Sequence, residues 1–342
     1  MSIKETNKIK YIHFILSILV ILIHSINNNT RFERFFSSEN GMGQFAVPLF
    51  FLISGFLFFK NANSMIDVKN KITKRVHTIL LPYLLWNLIY YIIHLILKTG
   101  NEFDLAEIYL AMTNYTYNPA FWFMYQLILL IAISPILFLA FKNAKYLYLP
   151  IVVASLFILL GVDAPYINED AIFYYYLGAI ICKRYENNKF KFIDKKKAVL
   201  FLSLSLLAIA INKTIYYCVL PYNIKLVPIF TYTIVLARAI VSLFIFYLVD
   251  VFSSYSRVPS FMENTFVLYA VHYMIVKALN IFSKYFMYKF LPDNTYEVIE
   301  IIVFVLSPVI CVIFNIYFVK FLKSKAPKAL AILSGNRRWL NM

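Results

Sequence analysis

The sequence predicts an all-α, polytopic integral membrane protein: a bundle of about ten transmembrane helices with both termini in the cytoplasm. Three observations predict it. Hydrophobic residues make up 61% of the chain and charged residues only 15%, too little charge to cover a soluble domain. The apolar residues gather in runs close to the ~20 residues that a bilayer crossing requires. Finally, the basic residues collect between alternate runs. The N-terminus, residues 60–78, 142–145, 183–197, 250–263 and the segment after 319 hold 24 of the 33 Lys and Arg. The loops at 98–119 and 162–169 carry Glu102, Asp104, Glu107, Asp163 and Glu169 instead. The positive-inside rule then puts both ends in the cytoplasm.

Hydropathy places the spans at 11–26, 44–59, 79–97, 120–141, 146–161, 170–182, 198–216, 227–249, 264–282 and 297–319. Runs 146–161 and 170–182 are short, and a tilted or re-entrant pair is the other reading there. The Lys4/Lys8/Lys10 start leads into a span with polar residues and no small-residue cleavage site, so 11–26 is expected to remain as an anchor. The organisation expected is one transmembrane domain over 1–323 and a short basic cytoplasmic tail over 324–342. Cys182, Cys218 and Cys311 sit in or beside apolar segments without paired spacing, which suggests neither a disulfide framework nor a zinc site. The net charge of +16 follows the loops rather than any nucleic-acid motif. Membrane lipid is the partner expected for it, and no nucleic acid.

The first span carries polar groups along one face: Lys10, His13, Ser17 and His24 fall at helical spacing. His13 and His24, eleven positions apart, differ by only ~20° in direction and lie roughly 16 Å apart along the axis. They cannot form a dyad with each other. Either they line one path across the membrane, or each is wetted at its own surface. Arg238 stands near the middle of 227–249, where an arginine costs roughly 2.5–3.5 kcal/mol on insertion scales. It is expected to face the bundle interior or a wet cavity, with a structural ion pair as the alternative. His272 lies near the middle of the ninth span, one turn from Tyr269. Trp122 with Phe121, Phe123 and Tyr125 reads as an interfacial aromatic belt or as a sugar platform. Ser54-Gly55 reads as a site of close helix packing.

Five segments resemble the membrane-bound acyltransferase-3 family, bacterial enzymes that O-acylate surface carbohydrates from acyl-coenzyme A. They are HFILSILVILIH (13–24), AVPLFFLISGFLFF (46–59), LLPYLLW (80–86), PAFWFMYQLILL (119–130) and LYAVHYM (268–274), in the family's order. The family's first helix holds an Arg, ten residues, then a His. Here His24 stands on the histidine, His13 on the arginine and Lys10 on the acidic residue that often precedes it. Histidine is mostly neutral at pH 7 whereas arginine is always charged, so Lys10 is expected to supply charge that His13 does not.

The resemblance implies an O-acyltransferase of the bacterial plasma membrane, most simply an O-acetyltransferase using acetyl-coenzyme A as co-substrate and no metal. The acceptor implied is an extracytoplasmic or lipid-linked carbohydrate. His24 would be the general base or a transient acyl carrier, and His13, on the family's arginine, would be the other catalytic position. Lys10, Lys74, Arg75 and Arg238 would meet the donor's phosphates. Trp122 and His272 would line the acceptor cavity. The rival reading is a transporter or flippase of a lipid-linked saccharide, which needs a wet groove but no acyl donor.

Overall fold

The computed structural model describes residues 3–25, 42–97, 103–162, 166–186, 195–219, 226–252, 258–290 and 296–335. Glu102, Asp163, residues 187–194 and 253–257 of two basic loops, and residues 336–342 of the tail lie outside them. Every described element is helical, and the described residues contain no strand. Among the described residues, six helices are long and apolar enough to cross a membrane: Thr6–His24, Met65–Leu97, Pro119–Lys142, Val227–Phe246, Thr265–Phe286 and Glu297–Lys325. Three shorter apolar helices accompany them among the described residues: Ala46–Phe59, Ala144–Leu160 and Leu202–Cys218. The chain is a multi-pass membrane protein.

One expectation changes. The basic stretch before the third span is not a loop: helix α3 (Met65–Arg75) runs through a π turn (Val76–Leu80) into α4 (Leu81–Leu97). The cause is a reciprocal cap at its start. The Ser64 hydroxyl accepts from the Asp67 amide (3.2 Å), while the Asp67 carboxylate accepts from the Ser64 amide (2.9 Å) and the Asn63 amide (3.0 Å). Amides that would otherwise lack partners are satisfied, so the helix begins well before its apolar part.

The chain divides into two compact units, with helix α1 (Ile3–His24) contributing to both. The first unit comprises Met1–Leu19, Arg34–Lys69 and Ala132–Val258. Its centre is the pair α2 (Ala46–Phe59) and α8 (Glu169–Glu186), which share its most extensive contact. Glycine makes that contact possible. A Cβ on Gly55 would stand 1.8 Å from the Tyr175 carbonyl oxygen, and one on Gly178 would stand 2.0 Å from that of Leu52. The predicted small-residue packing at Ser54-Gly55 is therefore observed. Around it, Phe59 packs against Phe141, Tyr175 and Tyr176. The Tyr175 hydroxyl meets Ser134 at 3.0 Å, giving both buried hydroxyls a partner. Helices α7 (Leu149–Leu160), α9 (Lys195–Thr214) and α10 (Val227–Phe252) complete this unit, together with α6 (Trp122–Lys142) beyond Ile131.

The second unit comprises Val20–Glu33, Asn70–Ile131 and Pro259–Met342. It contains α4, α5 (Leu105–Thr113), the start of α6, α11 (Thr265–Phe290), α12 (Tyr296–Lys325) and α13 (Pro327–Leu333). Tyrosine hydroxyls tie it to backbone carbonyls: Tyr83 donates to Met112 (2.6 Å) and Tyr90 to Ala270 (2.8 Å). The short α13 folds back onto α4, where the Trp86 indole donates to the Leu333 carbonyl at 3.0 Å. Gly335 follows at φ +63°, and a Cβ there would stand 2.2 Å from the Thr78 carbonyl oxygen. A residue that must be left-handed and also pressed against backbone has to be glycine. The first part of the predicted tail is thus a docked helix.

Candidate active site

His24 is the last residue of α1, and its side chain is partly exposed. His272 lies on α11, eight residues in, with no exposed surface. The second unit brings the two rings together, 5.3 Å between centroids and tilted by 47°. Tyr273 closes on the same imidazole, edge-on to His24 at 5.8 Å. Consecutive residues of LYAVHYM therefore frame His24 from two directions.

The backbone decides how His272 holds its proton. Its Nδ1 meets the Tyr269 carbonyl, which can only accept, so Nδ1 carries the hydrogen. Neutral imidazole with that tautomer presents a lone pair at Nε2. That Nε2 is buried and has no hydrogen-bond partner among the described residues. Buried polar atoms are rarely left so, and exceptions concentrate where a ligand or a reacting group completes them. The lone pair belongs to a ring already packed against His24.

The mount of His272 is rigid. Tyr269, whose carbonyl receives Nδ1, is itself buried, and its hydroxyl donates to the Ala120 carbonyl. Its ring lies against Phe121 and Phe123 (6.1 and 6.2 Å), and Phe121 also packs on Tyr83 and Tyr90 (both 5.8 Å). Asn118 caps the turn before α6 by accepting from the Ala120 amide at 3.1 Å, which fixes the carbonyl that Tyr269 grips. Its Nδ2 is buried without a partner among the described residues. Trp122, half-buried, follows on that turn, while its neighbours Phe121 and Phe123 make the ring contacts to Tyr269.

The remaining predicted residues are distributed as follows. Within the second unit, Lys74 is exposed and Arg75 half-buried, both in the last turn of α3, at the basic end of the long Met65–Leu97 helix. His77 is used locally, its Nδ1 donating to the Thr73 carbonyl at 3.0 Å, and His94 packs on Tyr117 at 4.5 Å. Within the first unit, Lys10 and His13 are half-buried on α1, and His13 lies 5.5 Å from the Phe50 ring. Arg238 faces Asp170 and Tyr174, which stand one turn apart on α8. The Tyr174 hydroxyl accepts from the guanidinium and donates to the Val235 carbonyl (3.2 Å), and the Asp170 carboxylate attracts the same charge. Arg238 therefore has an acidic neighbour, Asp170, at the start of the predicted run 170–182. No group of three or more His, Cys, Asp or Glu side chains is placed to hold a metal among the described residues.

Sequence reasoning found His24 and His272 separately but not as a pair, and it missed Tyr273 and Asp170. The signal for Tyr273 is its place beside His272. For Asp170 it is the four-residue step to Tyr174, which puts both on one helical face.

A family model described as an acyltransferase domain matches residues 7–318. No curated protein and no solved structure matches the chain.

Proposed function

The chain belongs to the acyltransferase-3 family and is a membrane acyltransferase, and we propose that it moves an acetyl group from cytoplasmic acetyl-coenzyme A to a hydroxyl of an extracytoplasmic or lipid-linked carbohydrate. One observation carries this reading. His24 stands against a second imidazole whose tautomer is fixed and whose remaining nitrogen is a buried, unsatisfied acceptor.

Acyl transfer to an alcohol needs a base for the hydroxyl proton and an acid for the departing thiolate. His24 takes the proton as the oxygen attacks the thioester carbonyl, then returns it to the coenzyme A sulfur as the tetrahedral intermediate collapses. While the proton resides on His24, that ring is cationic. The His272 lone pair holds it in position, the part played by the third member of a nucleophile–base–orienter set. His272 is therefore a positioning residue. Lys74 and Arg75 meet the donor's phosphates. Arginine forks match phosphate oxygens in pairs, and lysine adds point charge. Trp122 offers an aromatic face to the acceptor sugar. The distribution of basic loops supports cytoplasmic termini, and the family resemblance supports a plasma-membrane location.

The test is transfer of labelled acetyl from acetyl-coenzyme A to lipid-linked glycans by purified protein in liposomes. Wild type is expected to place label in an alkali-labile ester, and His24→Ala to place none. His272→Gln should lower kcat about tenfold with little change in KM and alter the pH profile. Full activity in His24→Ala would overturn the reading. Label on nitrogen rather than oxygen would overturn the acceptor class.

A further inference from the structure

Apart from the histidine pair, the first unit holds a groove of about 740 Å³ between the second half of α6, helix α7 and the start of α8. Its walls are Ile136, Leu137, Leu139, Val153 and Phe157, with Asn143 and Tyr146 at one end and Glu169 at the other. The volume lies within the range of small-molecule sites. Its walls stay open to the bilayer: Ile136 is 70% exposed, Leu139 62% and Val153 43%. From Asn143 back to Ile133 the groove follows roughly 15 Å of helix, the length of a substantial stretch of acyl chain. Helix α7 has only 12 residues, about 18 Å, and a span this short pulls the bilayer inward around it.

An apolar wall facing lipid would by itself mean only surrounding lipid. The Asn143 end is different. Lys142 and Lys145 flank the residues that line it, and both are exposed. The last turn of α8 brings Lys183 and Arg184 to the same end of the helix hairpins, where Arg184 donates to the Tyr148 hydroxyl at 2.7 Å. Lys183 donates to the Phe141 carbonyl, and burial, with repulsion from Lys142, lowers its pKa. Residues 120–162 contain neither Asp nor Glu, so no carboxylate from α6 or α7 offsets this cluster. Basic residues at the mouth of an apolar groove between membrane helices match a phosphate headgroup with its chain running inward.

We infer that this groove is a binding site for one anionic phospholipid, with an acyl chain along Ile136, Leu139 and Val153 and the phosphate at Lys142 and Lys145. The ligand enters from the leaflet that residues 142–145 face, the cytoplasmic one by loop charge. Nothing in this site belongs to the histidine pair, and the inference does not depend on the acyl chemistry.

The experiment is native mass spectrometry of the full-length protein, delipidated and then offered dioleoyl phosphatidylglycerol, dioleoyl phosphatidylcholine or a polyprenyl phosphate. One phosphatidylglycerol should be retained per chain, about tenfold more readily than phosphatidylcholine. Lys142→Gln with Lys145→Gln should remove that preference, whereas Lys323→Gln with Lys325→Gln, which removes the same charge elsewhere, should preserve it. Val153→Trp, which fills the groove and leaves the charges, should lower retention of both phospholipids. Near-ultraviolet circular dichroism of each variant confirms folding. Equal retention of the two phospholipids, or indifference to both site variants, would reduce the groove to ordinary lipid contact and overturn the site. Stronger retention of polyprenyl phosphate than of phosphatidylglycerol would overturn the occupant.

Discussion

Each unit holds a buried polar cluster at membrane depth, and the Arg238 and His272 clusters differ in chemistry. In the first, Arg238 is answered by Asp170 and Tyr174, and the Tyr174 hydroxyl passes its own hydrogen to the Val235 carbonyl. Opposite charges attract one another within one small cluster, and the Tyr174 hydroxyl both accepts and donates there. In the second unit, His272 satisfies one ring nitrogen on the Tyr269 carbonyl and leaves the other open beside His24. Attraction between an arginine and a nearby carboxyl group and phenol stabilises a fold, whereas a lone pair next to a titratable ring is an arrangement suited to moving protons. On the proposed function, the difference separates residues that build the protein from residues that act.

The largest expected effect falls on the open site. His24→Ala should lower acyl transfer at least about a hundredfold, the usual worth of a positioned base, with thermal unfolding of the purified protein nearly unchanged. Loss of transfer together with loss of folding would place His24 among the builders and erase the contrast.

Asp170→Asn should do the opposite. Removing the Asp170 carboxyl group leaves the Arg238 charge less compensated in low dielectric, which should lower stability. Folded yield and unfolding temperature should fall, and the double variant Asp170→Asn/Arg238→Gln should recover much of the loss. An Asp170→Asn protein of unchanged stability but altered KM for the donor would instead assign Arg238 to donor binding. A third change tests what keeps the cluster closed. Gly55→Ala pushes a methyl into the Tyr175 carbonyl and must part α2 from α8, the helix that carries Asp170 and Tyr174. Overpacking of this kind costs about 1–3 kcal/mol, read as a lower unfolding temperature.

How far the sequence discloses these two sites depends on the range of the interaction. Apolar runs near bilayer length and alternating loop charge are local signals, and they identify the helical membrane class directly. The start of α3 was masked because MIDVKNKITKR is polar enough to read as a loop, although Ser64 and Asp67 at capping-box spacing were visible signals of a helix start. His24 and His272 can each be picked out, but their proximity follows from packing between helices distant in sequence, and no periodicity reports that. The Arg238 partner was hidden for a related reason. Asp170 is the first residue of the predicted run 170–182 and the second of its helix, and nothing local ties it to Arg238 until α8 and α10 are placed together. The tautomer of His272 is least legible of all, since it depends on one backbone carbonyl a turn away.

That carbonyl leads to the smallest expected effect. Tyr269 supports the site with two different groups: its backbone oxygen receives His272 Nδ1, and its side-chain hydroxyl donates to the Ala120 carbonyl. Tyr269→Phe removes only the second. The ring keeps its contacts with Phe121 and Phe123, and His272 keeps its acceptor. Ala120, only 2% exposed, is left with a carbonyl that water cannot easily reach, a loss of about 1 kcal/mol. The unfolding temperature should fall slightly and kcat a few-fold, as the mount of His272 loosens. The pH profile of transfer should keep its shape, because no titrating group has been removed from the path of the proton. A profile that changes shape in Tyr269→Phe, with stability intact, would mean that the phenol itself takes part in proton transfer, and the open site would then be a triad of two imidazoles and a tyrosine.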